Sequence, residues 1–199
     1  MYNNFSLFDN DVADVKIEGL TYLPNYLSKQ EENALIELID AQNWLTDLKR
    51  RVQHYGYKYD YRSRRIDTSM KIGQLPDWLE SLAKRLYTEG VFKSAPDQVI
   101  VNEYTIGQGI THHIDCEPCF EDTIVSISLG SSCVMDFKNP KTDEKIPLLL
   151  QPRSVVILKG ESRYDWEHGI AARKSDKYEG VIYPRKRRIS LTFRKVIIR

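Results

Sequence analysis

From Gln98 onward the sequence breaks into short β-branched runs, V-I-V-N-E-Y, T-I-V-S-I-S-L, C-V-M-D-F, S-V-V-I-L and I-S-L-T-F-R-K-V-I-I, each bounded by turn residues. Runs so short and so rich in Val, Ile, Thr and Phe do not make helices; they pair with one another. Several of them in one compact stretch predict a sandwich or barrel, here a jelly roll. Lys138 to Lys145, K-N-P-K-T-D-E-K, reads as a hairpin loop between two of them. Ahead of this region the period changes. Ser28-Lys29-Gln30-Glu31 fits a capping box, and Ala34, Leu35, Leu38 and Ile39 follow at helical spacing, predicting a helix over about 29–41. Trp78, Leu79, Leu82, Ala83, Leu86 and Tyr87 repeat with a period near 3.6, predicting a second helix from Pro76 to Gly90. The expected organisation is a single mainly β domain with helices (α+β) over 1–199: a helical front with a lid over about 1–97, and a β core over about 98–199.

With 199 residues, 41% of them hydrophobic, the chain has material for one sizeable core. No apolar run approaches the roughly 20 residues that span a bilayer, and the start M-Y-N-N-F-S-L-F-D-N has neither a basic n-region nor an apolar h-region. The expectation is a cytoplasmic protein, monomeric and away from membranes. Cys116, Cys119 and Cys133 are an odd count without framework spacing, which reads as free thiols in a reducing compartment. Cys116-Glu117-Pro118-Cys119 also has the C-x-x-C spacing of a redox or zinc site. With no second pair, a turn carrying two incidental thiols is the simpler reading. The net charge of +1 says little, but Lys49 to Arg65 holds seven Lys or Arg with four interleaved Tyr, and Arg185 to Arg199 holds another seven.

Two features carry chemistry. His113 and Asp115 form an H-x-D pair whose side chains leave the same face of an extended strand, so both can reach one metal. His168 then completes two imidazoles and a carboxylate, the set that leaves positions open on non-haem Fe(II). His112 is the competing ligand, and alternation points it away from Asp115. The second feature is the alternation Arg188, Ser190, Thr192, Arg194, which puts four polar residues on one face of a strand otherwise rich in Ile, Leu and Phe. Burying unpaired charge costs several kcal/mol, so such a face needs an anionic partner, and a dicarboxylate fits.

The pattern Asn102, Tyr104, Gly107, His113, Asp115, followed by G-E-S-R-Y-D-W-E-H-G-I at Gly160 to Ile170 and R-I-S-L-T-F-R at Arg188 to Arg194, closely resembles the AlkB family of Fe(II)- and 2-oxoglutarate-dependent dioxygenases. The resemblance covers about half of the chain, Val99 to Val196, with three motifs in order. The run F-E-D-T-I-V-S-I-S-L-G-S-S-C-V-M-D-F is most similar to the branch that hydroxylates modified wobble uridines in tRNA. The resemblance implies a double-stranded β-helix core with an N-terminal substrate lid. It implies His113, Asp115 and His168 as the catalytic iron ligands, with 2-oxoglutarate and O2 as cosubstrates. It further implies Arg188 on the distal C5 carboxylate of 2-oxoglutarate with help from Tyr104, Asn102 and Arg194 near its C1 end, and Ser190 and Thr192 beside them. Ser190 stands where the founding member has Asn. The implied reaction hydroxylates a substrate C–H bond, releasing CO2 and succinate. A hydroxylated N-methyl group would then leave as formaldehyde, whereas a hydroxylated side-chain carbon would keep its hydroxyl.

The expected substrate is a modified or alkylated base in single-stranded DNA, RNA or tRNA. Tyr55, Tyr57 and Arg64 of the lid, with Glu117 and Arg163, are the candidate substrate contacts. Tyrosines among arginines can stack bases and hold phosphates. The same stretch also reads as an amphipathic hairpin, because Tyr55, Tyr57, Tyr59 and Tyr61 alternate as one strand face would. A protein side chain as target and a non-catalytic metal- or anion-binding sandwich are the two alternatives.

Overall fold

The computed structural model describes residues 16–46, 48–60 and 63–198. Tyr61 and the N-terminal segment read above for a leader lie outside these residues. In chain order the elements are β1 (Leu20–Leu23), α1 (Lys29–Asp40), β2 (Val52–Tyr55), α2 (Asp77–Thr88), β3 (Gln98–Tyr104), β4 (Ile110–His113) and β5 (Phe120–Gly130). There follow β6 (Cys133–Lys138), β7 (Lys145–Leu150), β8 (Val155–Leu158), α3 (Gly160–Tyr164), β9 (Glu167–Ile170), β10 (Ser175–Tyr178), β11 (Val181–Pro184) and β12 (Arg188–Val196).

Both long helices form where their sequence signals place them. The Ser28 hydroxyl accepts the Glu31 N–H at 3.1 Å, and the Ser28 N–H donates to Glu31 Oε2 at 2.7 Å, so the capping box is complete. α2 starts after Pro76 and ends at Gly90, whose φ of +76° suits a residue without Cβ. The strands assemble into a six-stranded sheet of order β1-β8-β5-β12-β3-β2 and a four-stranded sheet of order β4-β9-β6-β7, the jelly-roll core. β6 and β7 pair antiparallel from Cys133↔Leu150 to Lys138↔Lys145, so the predicted hairpin loop falls at 139–144.

Residue 98 does not divide the sheet. β1 and β2, from the stretch expected to be helical, form its two edges. Their signals are weak because each has only four residues, L-T-Y-L and V-Q-H-Y, too short to establish a period.

Strand alternation in the larger sheet separates packing from chemistry. Val99 and Val101 of β3, Val125, Ile127 and Leu129 of β5, and Ile189, Leu191 and Phe193 of β12 join Leu35, Ile39, Leu79, Leu82 and Leu86 of the helices in one buried cluster. Fully burying each such side chain contributes about 1.5–3 kcal/mol. The intervening residues, Ile100, Asn102 and Tyr104, Ile124 and Ser126, and Arg188 through Arg194 in steps of two, line a cavity on the opposite face. Helix α1 is fixed to the sheet by a buried carboxylate as well: Glu32 Oε1 accepts the Gly130 N–H at 2.8 Å. Gly109 lets β4 approach its neighbour, since a Cβ there would lie 2.1 Å from the Ile170 carbonyl oxygen. Among the described residues no helix is long and apolar enough to cross a membrane.

Candidate active site

The cavity, about 370 Å³, lies between the two sheets and takes residues from both: β3, β5 and β12 on one side, β4, β6 and β9 on the other. At its centre His113, Asp115 and His168 bring one ligand atom each to within 4.8 Å of one another. Two imidazoles and a carboxylate so placed suit Fe(II) and leave coordination positions open. The geometry arises from antiparallel pairing. β4 and β9 register Ile110 with Ile170 and His113 with His168, so β4 spends one more residue than β9 over the same stretch. That bulge aims His113 across at His168, with ring centroids 4.5 Å apart, while His112 is left exposed. Asp115 follows two residues past the end of β4, in an irregular segment.

Each ligand is prepared by a neighbour. His113 Nδ1 lies 2.9 Å from the Thr111 carbonyl oxygen, which can only accept, so the proton sits on Nδ1 and the Nε2 lone pair is free for a metal. Asp115 Oδ1 accepts from Arg194 Nη2 at 2.6 Å, and Oδ2 faces His168 Nε2 at 3.6 Å. Burial would raise the Asp115 carboxyl, but Arg194, with the nearby His168, His113 and Arg163, outweighs it and holds the group well below the usual carboxylate range. For His168 burial dominates, reinforced by His113, and pushes the imidazole down to about 3. Both groups are thus in the state that binds metal at neutral pH: carboxylate and neutral imidazole.

Beside the triad, Arg188 is 3% exposed. Its Nη2 donates to Ser128 Oγ at 2.9 Å, its guanidinium carbon lies 5.4 Å from the Tyr104 ring centroid, and its Nε has no hydrogen-bond partner among the described residues. Among the described residues no carboxylate pairs with it. A buried cation without a counter-ion is costly, and a carboxylate presented to its fork would remove that cost. The residues therefore fit one end of 2-oxoglutarate. Ser190 Oγ is 3.0 Å from Ser126 Oγ, and Thr192 lines the same wall. Asn102 shares this wall, and its Oδ1 accepts from Arg50 Nε at 2.8 Å, which leaves its amide N–H groups as the end able to donate to a ligand.

The candidate substrate contacts separate. Arg64 lines the cavity, together with Tyr59. Tyr55 packs edge-on against Trp78 and donates to Gln53 Oε1 at 2.9 Å, on the helix side of the sheet. Tyr57 lines a second cavity with Lys71, Lys84 and Tyr87. Gly56, at φ +75°, turns the chain after β2, so the tyrosines do not continue along one strand face. Glu117 is exposed, and Arg163 is fully buried, donating to the Asp115 and Cys116 carbonyls at 2.9 and 3.3 Å. Cys116 and Cys119 are joined by a disulfide; the expectation of free thiols holds only for the buried Cys133. The C-x-x-C spacing allowed for a redox pair but did not decide for it, because such a turn brings two sulfurs together whether or not they bond. Arg50 and Ser128 escaped the sequence reading. Ser128 was within reach, since it alternates with Ser126 on the cavity face of β5, but nothing distinguishes Arg50 from the other arginines of its run.

Much of the expected basic surface is neutralised within the protein. Arg51 and Arg187 both pair with Glu103, Arg187 also with Asp40, Arg185 with Asp176, and Arg65 with Asp67.

Known proteins resemble this chain in sequence and in fold. The sequence profile of the 2OG-Fe(II) oxygenase superfamily matches residues 41–194. The chain is 38% identical to an Arabidopsis thaliana protein named alkylated DNA repair protein ALKBH8 homolog, over 92% of this chain and 60% of the relative. It is 41% identical to the Macaca fascicularis tRNA (carboxymethyluridine(34)-5-O)-methyltransferase ALKBH8, over 89% of this chain and 30% of the relative. It therefore spans less than two thirds of either. The solved structure of OsALKBH1 superposes with a TM-score of 0.71 at 19% identity, covering 93% of this chain and all of that one, which speaks to the fold. Sequence, fold and the grouping of the triad agree, and the chain belongs to the 2OG-Fe(II) oxygenase superfamily as an AlkB-like member.

Proposed function

We propose that the chain is an Fe(II)- and 2-oxoglutarate-dependent dioxygenase that oxidises a modified or alkylated base in nucleic acid, with a tRNA wobble uridine as the favoured target. The observation that carries this reading is Arg188, a buried guanidinium without a counter-ion among the described residues, in the same cavity as a two-histidine, one-carboxylate cluster. When bound, Fe(II) with 2-oxoglutarate supplies the activation of O2, so that one oxygen atom enters a substrate C–H bond while 2-oxoglutarate becomes succinate and CO2.

The chain's own residues bind, orient and exclude water. Thr111 holds the proton of His113 on Nδ1, and Arg194 occupies Asp115 Oδ1, leaving Oδ2 for a metal. Arg188, with Tyr104 stacked against it, would hold the C5 carboxylate. Asn102, its amide fixed by Arg50, would donate to the cosubstrate. Ile100, Ile110, Ile124, Leu158 and Ile170 make the rest of the wall apolar, which strengthens each polar contact within it.

The substrate class is supported by the wording of the relatives' names, alkylated DNA repair in one and carboxymethyluridine in tRNA in the other. The second reading, a protein side chain as target, is favoured by the internal pairing of Arg51, Arg65, Arg185 and Arg187, which leaves fewer cations for phosphates. The proposal includes a cytoplasmic monomer, to be checked by cell fractionation and light scattering. Mass spectrometry of nucleosides tests the substrate after incubation of Fe(II)-loaded protein with 2-oxoglutarate, O2 and bulk tRNA or methylated single-stranded DNA. A hydroxylated uridine or a lost methyl group is expected. Unchanged nucleosides, with succinate formed only when unfolded polypeptide is added, would move the assignment to protein.

A further inference from the structure

We propose that Cys116 and Cys119 form a redox-responsive latch that sets how firmly the lid is held on the loop carrying Asp115. The two sulfurs are bonded, and each residue is 3% exposed. They lie directly after a candidate metal ligand, and Cys116 lines the catalytic cavity. What they touch is the lid. The carbonyl oxygen of Arg64 is 3.1 Å from Cys116 Sγ and 3.3 Å from Cys119 Sγ, so a single lid oxygen rests on both. Two more contacts join the same segments: Arg64 Nη2 donates to the Ile114 carbonyl at 3.2 Å, and Tyr59 packs against Phe120 with ring centroids 5.8 Å apart. Ile66 is buried in the same cluster as both cysteines.

The sign of the effect follows from counting protons. A disulfide sulfur has no hydrogen to donate, so in the bonded state the Arg64 oxygen faces two sulfurs and gains no hydrogen bond from either. In the dithiol state both sulfurs carry S–H groups, and a carbonyl with two lone pairs accepts both. Reduction therefore tightens the lid and oxidation loosens it. The change falls on the lid because Arg163 grips the Asp115 and Cys116 carbonyls, contacts in which neither sulfur takes part. The reductant is a dithiol. Its thiolate attacks Cys116 Sγ and releases the Cys119 thiolate, which takes up a proton; its second thiol then resolves the mixed disulfide and leaves Cys116 as a thiol. Two electrons and two protons pass to the pair, and the reductant becomes a disulfide.

Neither readout of the test involves turnover, so the latch and the proposed activity succeed or fail separately. The first is thiol counting on the full chain after equilibration with oxidised glutathione: alkylation in denaturant is expected to label Cys133 alone, and all three cysteines after dithiothreitol. Labelling of all three before reduction would overturn the pair. The second is the rate of tryptic cleavage after Arg64 and Arg65 in otherwise native protein. Loss of two weak hydrogen bonds is expected to make the oxidised form about fivefold faster to cut. Cys119→Ser cannot form the bond yet keeps a donor, and is expected to be cut slowly with or without dithiothreitol. Equal rates for the oxidised and reduced wild type would overturn the latch.

Discussion

His113 of β4 and His168 of β9 are cross-strand partners, and a bulge in β4 turns their rings towards each other in the cavity. The pairing sets two of the three residues of the candidate metal site in the sheet, with Asp115 in the irregular segment that follows β4. Two candidate ligands are set by strand register, and the third, Asp115, is tied down by Arg194 from the larger sheet.

Replacing any one of the three should abolish metal binding at stoichiometric concentrations without unfolding the protein. Asp115→Ala has a further effect, since it leaves Arg194 buried without its carboxylate. It should be the least stable of the three, by about 3–5 kcal/mol in a denaturant titration. Equal stability for His113→Ala and Asp115→Ala would contradict the ion pair.

Arg188→Lys should weaken 2-oxoglutarate binding by about tenfold or more, because a point charge replaces a fork that can hold a carboxylate at two oxygens. Arg50→Ala acts one step away, by freeing the Asn102 amide to rotate. It should raise the dissociation constant by about fivefold. Calorimetric titration of the anaerobic Fe(II)-loaded protein measures both.

Arg163 sits deeper than any other charged side chain of the chain's C-terminal motifs, and its bonds run to main-chain carbonyls. Arg163→Met keeps much of the volume but strands two buried acceptors, at about 1–3 kcal/mol each. Urea unfolding should show that loss even in metal-free protein, where a purely substrate-binding residue would show none.

The metal-free fold should weaken in mild acid. His168 has a folded value of about 3 against an ordinary 6.5, so between these pH values the unfolded chain binds the proton and the folded one does not. Stability is then complete above pH 6.5 and falls as pH drops towards 3, with a slope from this group of up to about 1.4 kcal/mol per pH unit. His168→Gln should flatten the slope of stability against pH in that window.

How much of this was legible in the sequence depends on how local each cause is. The capping box at Ser28, the period of α2 and the alternation of β12 are short-range signals, and each of these elements forms where its residues indicate. The preference for His113 over His112 rested on simple alternation, whereas the structure reaches the same arrangement through a bulge that no residue type announces. The tyrosines of the lid were misleading for a related reason. Gly56 ends the strand after Tyr55, so Tyr55 packs on a helix, Tyr57 faces a second cavity, and Tyr59 faces the candidate site. The arginine runs suggested an anionic partner outside the protein because Glu103, Asp40 and Asp176, which neutralise several of them, lie far away along the chain.

The most direct test of the central claim is succinate formation from 2-oxoglutarate by anaerobically Fe(II)-loaded protein on admission of O2, measured beside folded His113→Ala. Succinate from the wild type, rising further with a nucleic-acid substrate and absent from the variant, is the predicted result. No succinate above the variant's background, from folded protein with iron bound, would contradict the dioxygenase and leave a metal-binding sandwich in its place.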